Sequence, residues 1–194
     1  MMAKARGASS NRASLAKDSI DLKDYRAWHL ASTPTEVSLT ELEYAVLRFR
    51  EAFEHWVQQA VRTSGPIDLN FTELTVLHTL RMQPRPAAVA TLARLLNRDD
   101  IPNIQYSLRK LASLGLVQSQ REKGSKSASY STTEAGLEMT NSYADLKRSI
   151  LLRQLSDLPG FEDRIAAGAR TLTMLTGLYE ECARVAATHT PVED

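Results

Sequence analysis

Apolar residues recur at steps of three and four along several stretches of this 194-residue chain, which predicts helices separated by turn residues. The first helix is predicted to open at Ser38, because Ser38 and Glu41 have the spacing of a capping box, and to end at Gly65-Pro66. Its apolar side chains form a heptad-like seam for packing against another helix: Leu39, Leu42, Val46, Phe49, Phe53, Trp56 and Ala60.

The middle of the chain predicts three short helices followed by a hairpin. The helices are expected to run from Asn70 to about Met82, from Ala87 to Leu96, and from Asp100 to Leu114, with Gly115 as the stop. A strand over Leu116–Gln120, a basic loop and a return strand containing Tyr130 come next. This order predicts a mainly α protein with a small β-hairpin, in which a winged helix-turn-helix domain is flanked by long helices.

The distribution of charge along the chain says more about its binding partner than the net charge does. The net charge is only +1, yet the segment from Arg98 to Lys126 holds six Lys and Arg against three Asp and Glu. The single cysteine, Cys182, excludes a disulfide framework, and no apolar run approaches the roughly 20 residues of a membrane helix. The local cationic excess therefore indicates an acidic partner for the middle of the chain.

The predicted helix Asp100–Leu114 and the hairpin after it carry the candidate DNA contacts. Asn and Gln suit the N6/N7 edge of adenine, and Arg suits the O6/N7 edge of guanine, whereas Lys and Ser suit phosphates. The candidates are Asn103, Gln105, Tyr106, Ser107 at the edge of the polar face, Arg109 and Lys110 on the helix, and Arg121, Lys123, Ser125 and Lys126 on the hairpin. The alternative is a solvated amphipathic helix beside an ordinary charged turn.

The stretch from Phe71 to Gly136 resembles the winged-helix domain of the MarR family of bacterial transcription regulators. The residues that carry the resemblance are LNFTELTVLHTL, VATLARLLN, SLRKLASLGLV and YSTTEAG. The resemblance implies that Ile101–Leu114 is the recognition helix and Gln118–Thr132 the wing. It also implies a symmetric homodimer that binds a pseudo-palindromic operator in double-stranded DNA, in the bacterial cytoplasm.

The resemblance gives the predicted domain organisation. The flanking helices lie at the positions where that family forms its dimer. In the N-terminal segment, residues 1–17 are polar and basic, whereas the residues from 18 onward include several apolar side chains. The expected parts are a disordered basic tail at 1–17, a docked arm at 18–37, an N-terminal dimerisation helix at 38–66, the winged-helix domain at 67–133 and C-terminal dimerisation helices at 134–194.

Many proteins of that family bind small aromatic or phenolic effectors in a cleft between the dimer helices and the DNA-binding lobe. By resemblance, such an effector would be bound by aromatic and histidine side chains between positions 28 and 78. The residues of suitable type are Trp28, His29, Tyr44, His55, Trp56, Phe71 and His78. The alternative is that these side chains belong to the core and to the interface.

Neither an enzyme nor a metal protein is indicated. The chain has no Gly-rich phosphate loop, no Gly-x-Ser-x-Gly elbow and no His-Glu-x-x-His, so no catalytic residue and no cofactor are expected. The four histidines lack metal-ligand spacing to Cys, Asp or Glu, so no metal is expected either. The competing function is a winged-helix scaffold that binds another protein and has no specific DNA site.

Overall fold

The structure is a computed structural model that describes residues 29–30, 32–121 and 127–188. The chain forms two compact units, Met1–His55 and Trp56–Asp194, and the boundary between them falls within the first helix. The elements in chain order are α1 (Pro34–Ser64), α2 (Phe71–Arg81), β1 (Ala87–Ala88), α3 (Val89–Leu95), α4 (Ile101–Ser113), β2 (Val117–Gln120), β3 (Ser129–Thr132), α5 (Glu134–Leu146), a π-helical segment (Lys147–Leu152), α6 (Arg153–Ser156) and α7 (Phe161–Thr188).

Helix α1 begins four residues before the predicted start. The capping box is formed by Thr33 and Glu36: the Glu36 amide donates to Thr33 Oγ1 at 3.2 Å, and the Thr33 amide donates to Glu36 Oε2 at 3.1 Å. Pro34 then occupies the first helical position, where its fixed φ suits the helix and its missing N–H is no loss. The prediction that Ser38 caps this helix was therefore wrong.

The sheet has three antiparallel strands in the order β1-β3-β2, so the predicted hairpin is extended by one strand. Strand β1 occupies the first two positions of the segment predicted as the third helix. Ala87 pairs with Tyr130 and Ala88 with Ser129, and Ala88 has extended backbone angles before α3 begins. The prediction that Ala87 and Ala88 are helical was therefore wrong, because the pairing with β3 holds these two residues in a strand.

The core of the Trp56–Asp194 unit lies among α2, α3, α4 and the first strand of the hairpin. Its fully buried members include Leu74, Leu77, Leu92, Ile104, Leu108, Leu111 and Leu116. Each such side chain contributes roughly 1.5–3 kcal/mol when removed from water. This packing holds α4 by one face only, so its opposite face is left for other partners.

The wing is joined closely to the start of α5. Thr133 caps α5, because its Oγ1 accepts from the Gly136 amide at 3.2 Å, and the same hydroxyl donates to the Gly115 carbonyl at 2.6 Å. Gly136 is required here, since a Cβ at this position would collide with the Leu116 carbonyl.

Candidate nucleic-acid interface

Helix α4 has sharp boundaries set by its sequence. The Asp100 side chain accepts from the Asn103 amide at 3.3 Å, and Pro102 lies in the first turn. At the other end Gly115 has φ of +73°, the left-handed conformation that ends many helices. The helix therefore matches the predicted Asp100–Leu114 segment to within a residue at each end.

The face of α4 opposite the core displays polar and aromatic side chains. Gln105, Tyr106 and Arg109 are exposed, and Asn103 is half-buried at the first turn. Tyr106 is 57% exposed, although a tyrosine commonly buries its ring where the fold allows. This face therefore presents an amide, a phenol and a guanidinium to an external partner.

Ser107 differs from the expectation that it lies at the edge of this face. It is 1% exposed, and its hydroxyl donates to the Asn103 carbonyl at 2.9 Å within the helix. The physical reason is helical geometry, because Ser107 is three residues from Ile104 and shares the inward side. Its hydroxyl is thus part of the helix packing.

Lys110 also forms its polar contact within the domain. Its Nζ donates to Glu73 Oε2 at 2.8 Å, and Glu73 is almost completely buried. The same carboxylate oxygen accepts from the Asn70 amide at 2.9 Å, completing the capping box of α2. Donating this hydrogen bond to Glu73 raises the pKa of Lys110, and the negative charge of Glu73 acts in the same direction. The Lys110 ammonium thus neutralises a buried acid, and the predicted contact with a phosphate would compete with this pair.

The wing consists of β2 and β3, joined in antiparallel register. Gln118 pairs with Ser131 on the backbone, and the Gln118 amide donates to the Ser131 hydroxyl at 3.2 Å. Arg121 follows β2 directly and is exposed. Three further wing candidates, Lys123, Ser125 and Lys126, lie outside the described residues.

Other cations of the same domain have structural partners. Arg81 donates to the Leu137 carbonyl at 3.1 Å and to the side chains of Thr140 and Asn141, which ties α2 to α5. Arg98 donates to Thr72 Oγ1 at 3.3 Å and lies 3.6 Å from Asp100. The local excess of positive charge in the sequence is therefore only partly available to a ligand.

The effector candidates divide between the two compact units. His29, Tyr44 and His55 belong to Met1–His55, where all three are exposed, and Trp28 lies outside the described residues. In the Trp56–Asp194 unit the candidates Trp56, Phe71 and His78 are each half-buried.

Two of these candidates meet a tyrosine that the sequence did not single out. Trp56 Nε1 donates to Tyr143 Oη at 3.3 Å, and the His78 ring stands edge-on to the Tyr143 ring with centroids 4.9 Å apart. His78 Nε2 is buried, and no described residue gives it a hydrogen bond. Burial lowers the pKa of His78, and the positive charges of Arg81 and Lys147 lower it further, while burial raises the pKa of Tyr143.

Over residues 29–30, 32–121 and 127–188, His, Cys, Asp and Glu side chains do not gather in groups of three suited to a metal ion. Within those same ranges, no helix combines the length and apolarity needed to cross a membrane.

Comparison with known proteins assigns the central segment and the fold. The family described as "Winged helix DNA-binding domain" matches residues 69–136. No curated protein matches the sequence. Among solved structures, a MarR family regulator from Neisseria meningitidis is 17% identical, with 77% of this chain and 98% of that chain covered and a TM-score of 0.61.

Two further structures are similar. Streptococcus pneumoniae FabT, solved in complex with DNA, is 16% identical over 75% of this chain and 99% of that one, with a TM-score of 0.55. S. aureus MepR in its DNA-binding conformation is 16% identical over 71% and 98%, with a TM-score of 0.57. Residues 69–136 are thus a winged helix domain. Over about three quarters of its length the chain has the fold of the solved MarR family regulators, which confirms the fold class predicted from the sequence.

Proposed function

We propose that this protein is a MarR-like transcription regulator that binds a specific site in double-stranded DNA as a homodimer, in the bacterial cytoplasm. The observation that carries the proposal is the outward face of α4, where Gln105 and Arg109 are exposed within a winged helix DNA-binding domain. A winged helix of this kind places such a helix in the major groove. The similar structures FabT and MepR, by their descriptions, are a DNA complex and a DNA-binding conformation.

The exposed side chains of α4 suit direct reading of bases. Arg109 can donate two hydrogen bonds to guanine O6 and N7, and Gln105 can pair with adenine N6 and N7. Asn103 and Tyr106 would contribute beside them, at the first turn and at the centre of the face. Ser107 and Lys110 are left out of this set because their polar groups already bond within the domain.

The wing would supply the phosphate contacts. Arg121 is exposed at the end of β2, and the sequence places Lys123, Ser125 and Lys126 at the tip that follows. Phosphate contacts set the register and orientation of the protein on the duplex without reading sequence. We therefore assign affinity to the wing and base preference to α4.

The homodimer is supported by apolar surface on the long helices. No residue of the 28-residue helix α7 is buried. Several of its apolar side chains are exposed, with Met174 60% exposed and Val185 56% exposed. In the first unit, Leu47 and Phe49 of α1 are exposed as well. Apolar surface of this extent on a soluble protein marks an interaction site. A second copy of the chain would cover it and would place two recognition helices about one DNA turn apart, ~34–36 Å.

The decisive experiment is selection of bound duplexes from a random DNA library, followed by measurement of stoichiometry on the selected site. We expect an enriched pseudo-palindrome and two chains per duplex. An analytical ultracentrifugation run of the free protein should give a dimer. If no motif is enriched and binding is weak and abolished by moderate salt, the protein is a scaffold module instead.

The proposal includes a second element, which is that a small aromatic effector regulates DNA binding. Its support within the Trp56–Asp194 unit is the buried Nε2 of His78, without a partner among the described residues, beside Tyr143 and Trp56. An aromatic acid or phenol could supply the missing hydrogen bond, and it would release DNA only by preferring the DNA-incompetent arrangement. A thermal-shift panel of such compounds should give hits on the wild type that His78→Phe loses. A panel without hits would reject the effector.

A further inference from the structure

A polar cleft of about 450 Å³ lies beside the wing, at the outer edge of the sheet. It is bordered by the segment that leads from α2 into β1, by α3 and by the start of β3. Its polar lining consists of Gln83, Arg85, Thr91, Ser127 and Ser129. Ser127 is the first described residue after the wing tip, so the cleft adjoins the part of the hairpin proposed to meet DNA.

The cleft offers hydrogen-bond donors and one full positive charge. None of the described residues that line it is acidic. The Ser129 hydroxyl donates to the Gln120 carbonyl at 3.3 Å, and Gln83 Nε2 donates to the Thr79 carbonyl at 3.1 Å. The Arg85 guanidinium and the Thr91 hydroxyl are therefore the groups that remain to donate to a ligand. A guanidinium beside a hydroxyl suits the oxygens of a phosphate.

The backbone that carries Arg85 is restricted on both sides. Pro84 precedes it and Pro86 follows it, directly before β1. A proline fixes its own φ, and it also confines the residue before it to extended conformations. Less backbone entropy is therefore lost when a ligand is bound by such a segment. The backbone that carries Arg85 is thus ordered before a ligand binds.

Arg85 also differs from neighbouring cations of the domain. Arg81 is bound to α5, Arg98 to Thr72 and Asp100, and Lys110 to Glu73. Within the described part of the chain, no hydrogen bond or ion pair involves Arg85, which is exposed. Its charge is available in full to an anion, and the structure gives it no other role.

We propose that this cleft binds one phosphate of the DNA backbone, with Arg85 as the main contact and Thr91 as a second donor. The inference rests on the proposed DNA-binding function and extends it to a surface outside α4 and the wing tip. It assigns Arg85 a positioning role: the contact fixes how the wing flank sits on the backbone and contributes affinity equally for all base sequences.

The test is the salt dependence of duplex binding, measured by fluorescence anisotropy on both a selected site and an unrelated duplex. The slope of log K against log salt is negative, and each lost phosphate contact makes it shallower by about 0.9. In a homodimer with two clefts, Arg85→Ala should therefore make the slope shallower by about 1.8. Arg85→Lys should keep most of the slope. The matched control is Arg62→Ala, which removes the same charge from an exposed position at the end of α1 and should leave the slope unchanged.

A second measurement locates the contact on the DNA. Single methylphosphonate substitutions remove one phosphate charge at a time from the selected duplex. One position should weaken the wild type and have no effect on Arg85→Ala, because the partner is already gone. Melting temperatures of both variants should equal that of the wild type, which separates a lost contact from a lost fold.

The outcomes distinguish this proposal from the function on which it depends. If the wild type enriches a motif but Arg85→Ala keeps the wild-type slope, the cleft proposal is wrong and the regulator function stands. If inorganic phosphate binds in an Arg85-dependent manner while DNA binding is unaffected, the cleft is a free-anion site and the proposal also fails. If the wild type binds no duplex, both proposals fail together.

Discussion

Lys110 on α4 donates to Glu73 on α2 at 2.8 Å, and this ion pair joins the two helices across 37 positions of sequence. Glu73 is 1% exposed, and its carboxylate also accepts a hydrogen bond from the Asn70 amide. A buried carboxylate is costly unless it is both charge-paired and hydrogen-bonded. The lysine therefore compensates the buried charge of Glu73 and links α4 to α2.

We expect Lys110→Met to destabilise the protein by about 1–2 kcal/mol. Breaking a fully buried pair costs more, about 3–5 kcal/mol, but the Lys110 side chain is 36% exposed and water would relieve part of the lost interaction. The measurement is the free energy of unfolding in urea. The control is Arg148→Met, which breaks an exposed pair with Asp145 and should change stability by less than about 0.5 kcal/mol. Equal effects of the two variants would show that Glu73 does not depend on Lys110.

The same pair shows where sequence reasoning reaches its limit. The spacing of Asn70 and Glu73 predicted the start of α2, and the structure confirms that capping box. No local sequence pattern indicates that Glu73 is buried or that its partner lies on another helix. Sequence reasoning therefore predicts a DNA phosphate as the partner of Lys110. The periodicity of α4 predicts a buried stripe of Ile101, Ile104, Leu108, Leu111 and Leu114. Ile104, Leu108 and Leu111 are buried as predicted, whereas Ile101 is half-buried and Leu114 is exposed.

Short elements are harder to predict from sequence than long ones, because their conformation also depends on distant partners. Two alanines can continue a helix or pair as a strand, and only the partner strand β3 decides. A lone arginine between prolines, such as Arg85, is typical of a surface turn. The cleft that gives Arg85 its proposed role is also lined by side chains of α3 and β3, which are distant in sequence. Contacts between distant segments are the information that local patterns lack.

His78 should make the protein less stable in mild acid. Burial lowers its pKa in the folded state, aided by the positive charges of Arg81 and Lys147. The unfolded chain then binds more protons than the folded chain once the pH falls below the ordinary histidine pKa of about 6.5. The His78 contribution is therefore complete above that pH and is lost as the pH falls through the lower folded value.

The measurement is urea unfolding at several pH values between 5 and 8. We expect the fall in stability below pH 6.5 to be shallower in His78→Gln than in the wild type, because the variant has one fewer proton to take up on unfolding. His55→Gln, at an exposed position on α1, is the control and should retain the wild-type slope. Parallel slopes for His78→Gln and wild type would contradict the prediction.

Gly136 should not tolerate a side chain. A Cβ there meets the Leu116 carbonyl and the Thr132 methyl, so the wing and α5 must move apart. We expect Gly136→Ala to cost about 1–3 kcal/mol in the free energy of unfolding, as overpacking does elsewhere. Gly168→Ala on α7 is the matched control, because its Cβ meets nothing within 4 Å and alanine favours a helix by roughly 0.5–1 kcal/mol. A neutral Gly136→Ala would show that the wing and α5 are less tightly joined than the geometry indicates.

Arg109 should carry base preference rather than general affinity. It is exposed on α4, and the described residues give it no hydrogen bond or ion pair, so its guanidinium is available to a base edge. On the best selected duplex, Arg109→Ala should lose about 1–3 kcal/mol of binding free energy, and it should discriminate less at one base pair of each half-site. On an unrelated duplex the loss should be smaller, which is the opposite of the uniform loss expected for Arg85→Ala. Anisotropy titrations with the selected duplex and its single-base variants measure both quantities, and an unchanged ranking of those variants would refute the assignment of Arg109 to base reading.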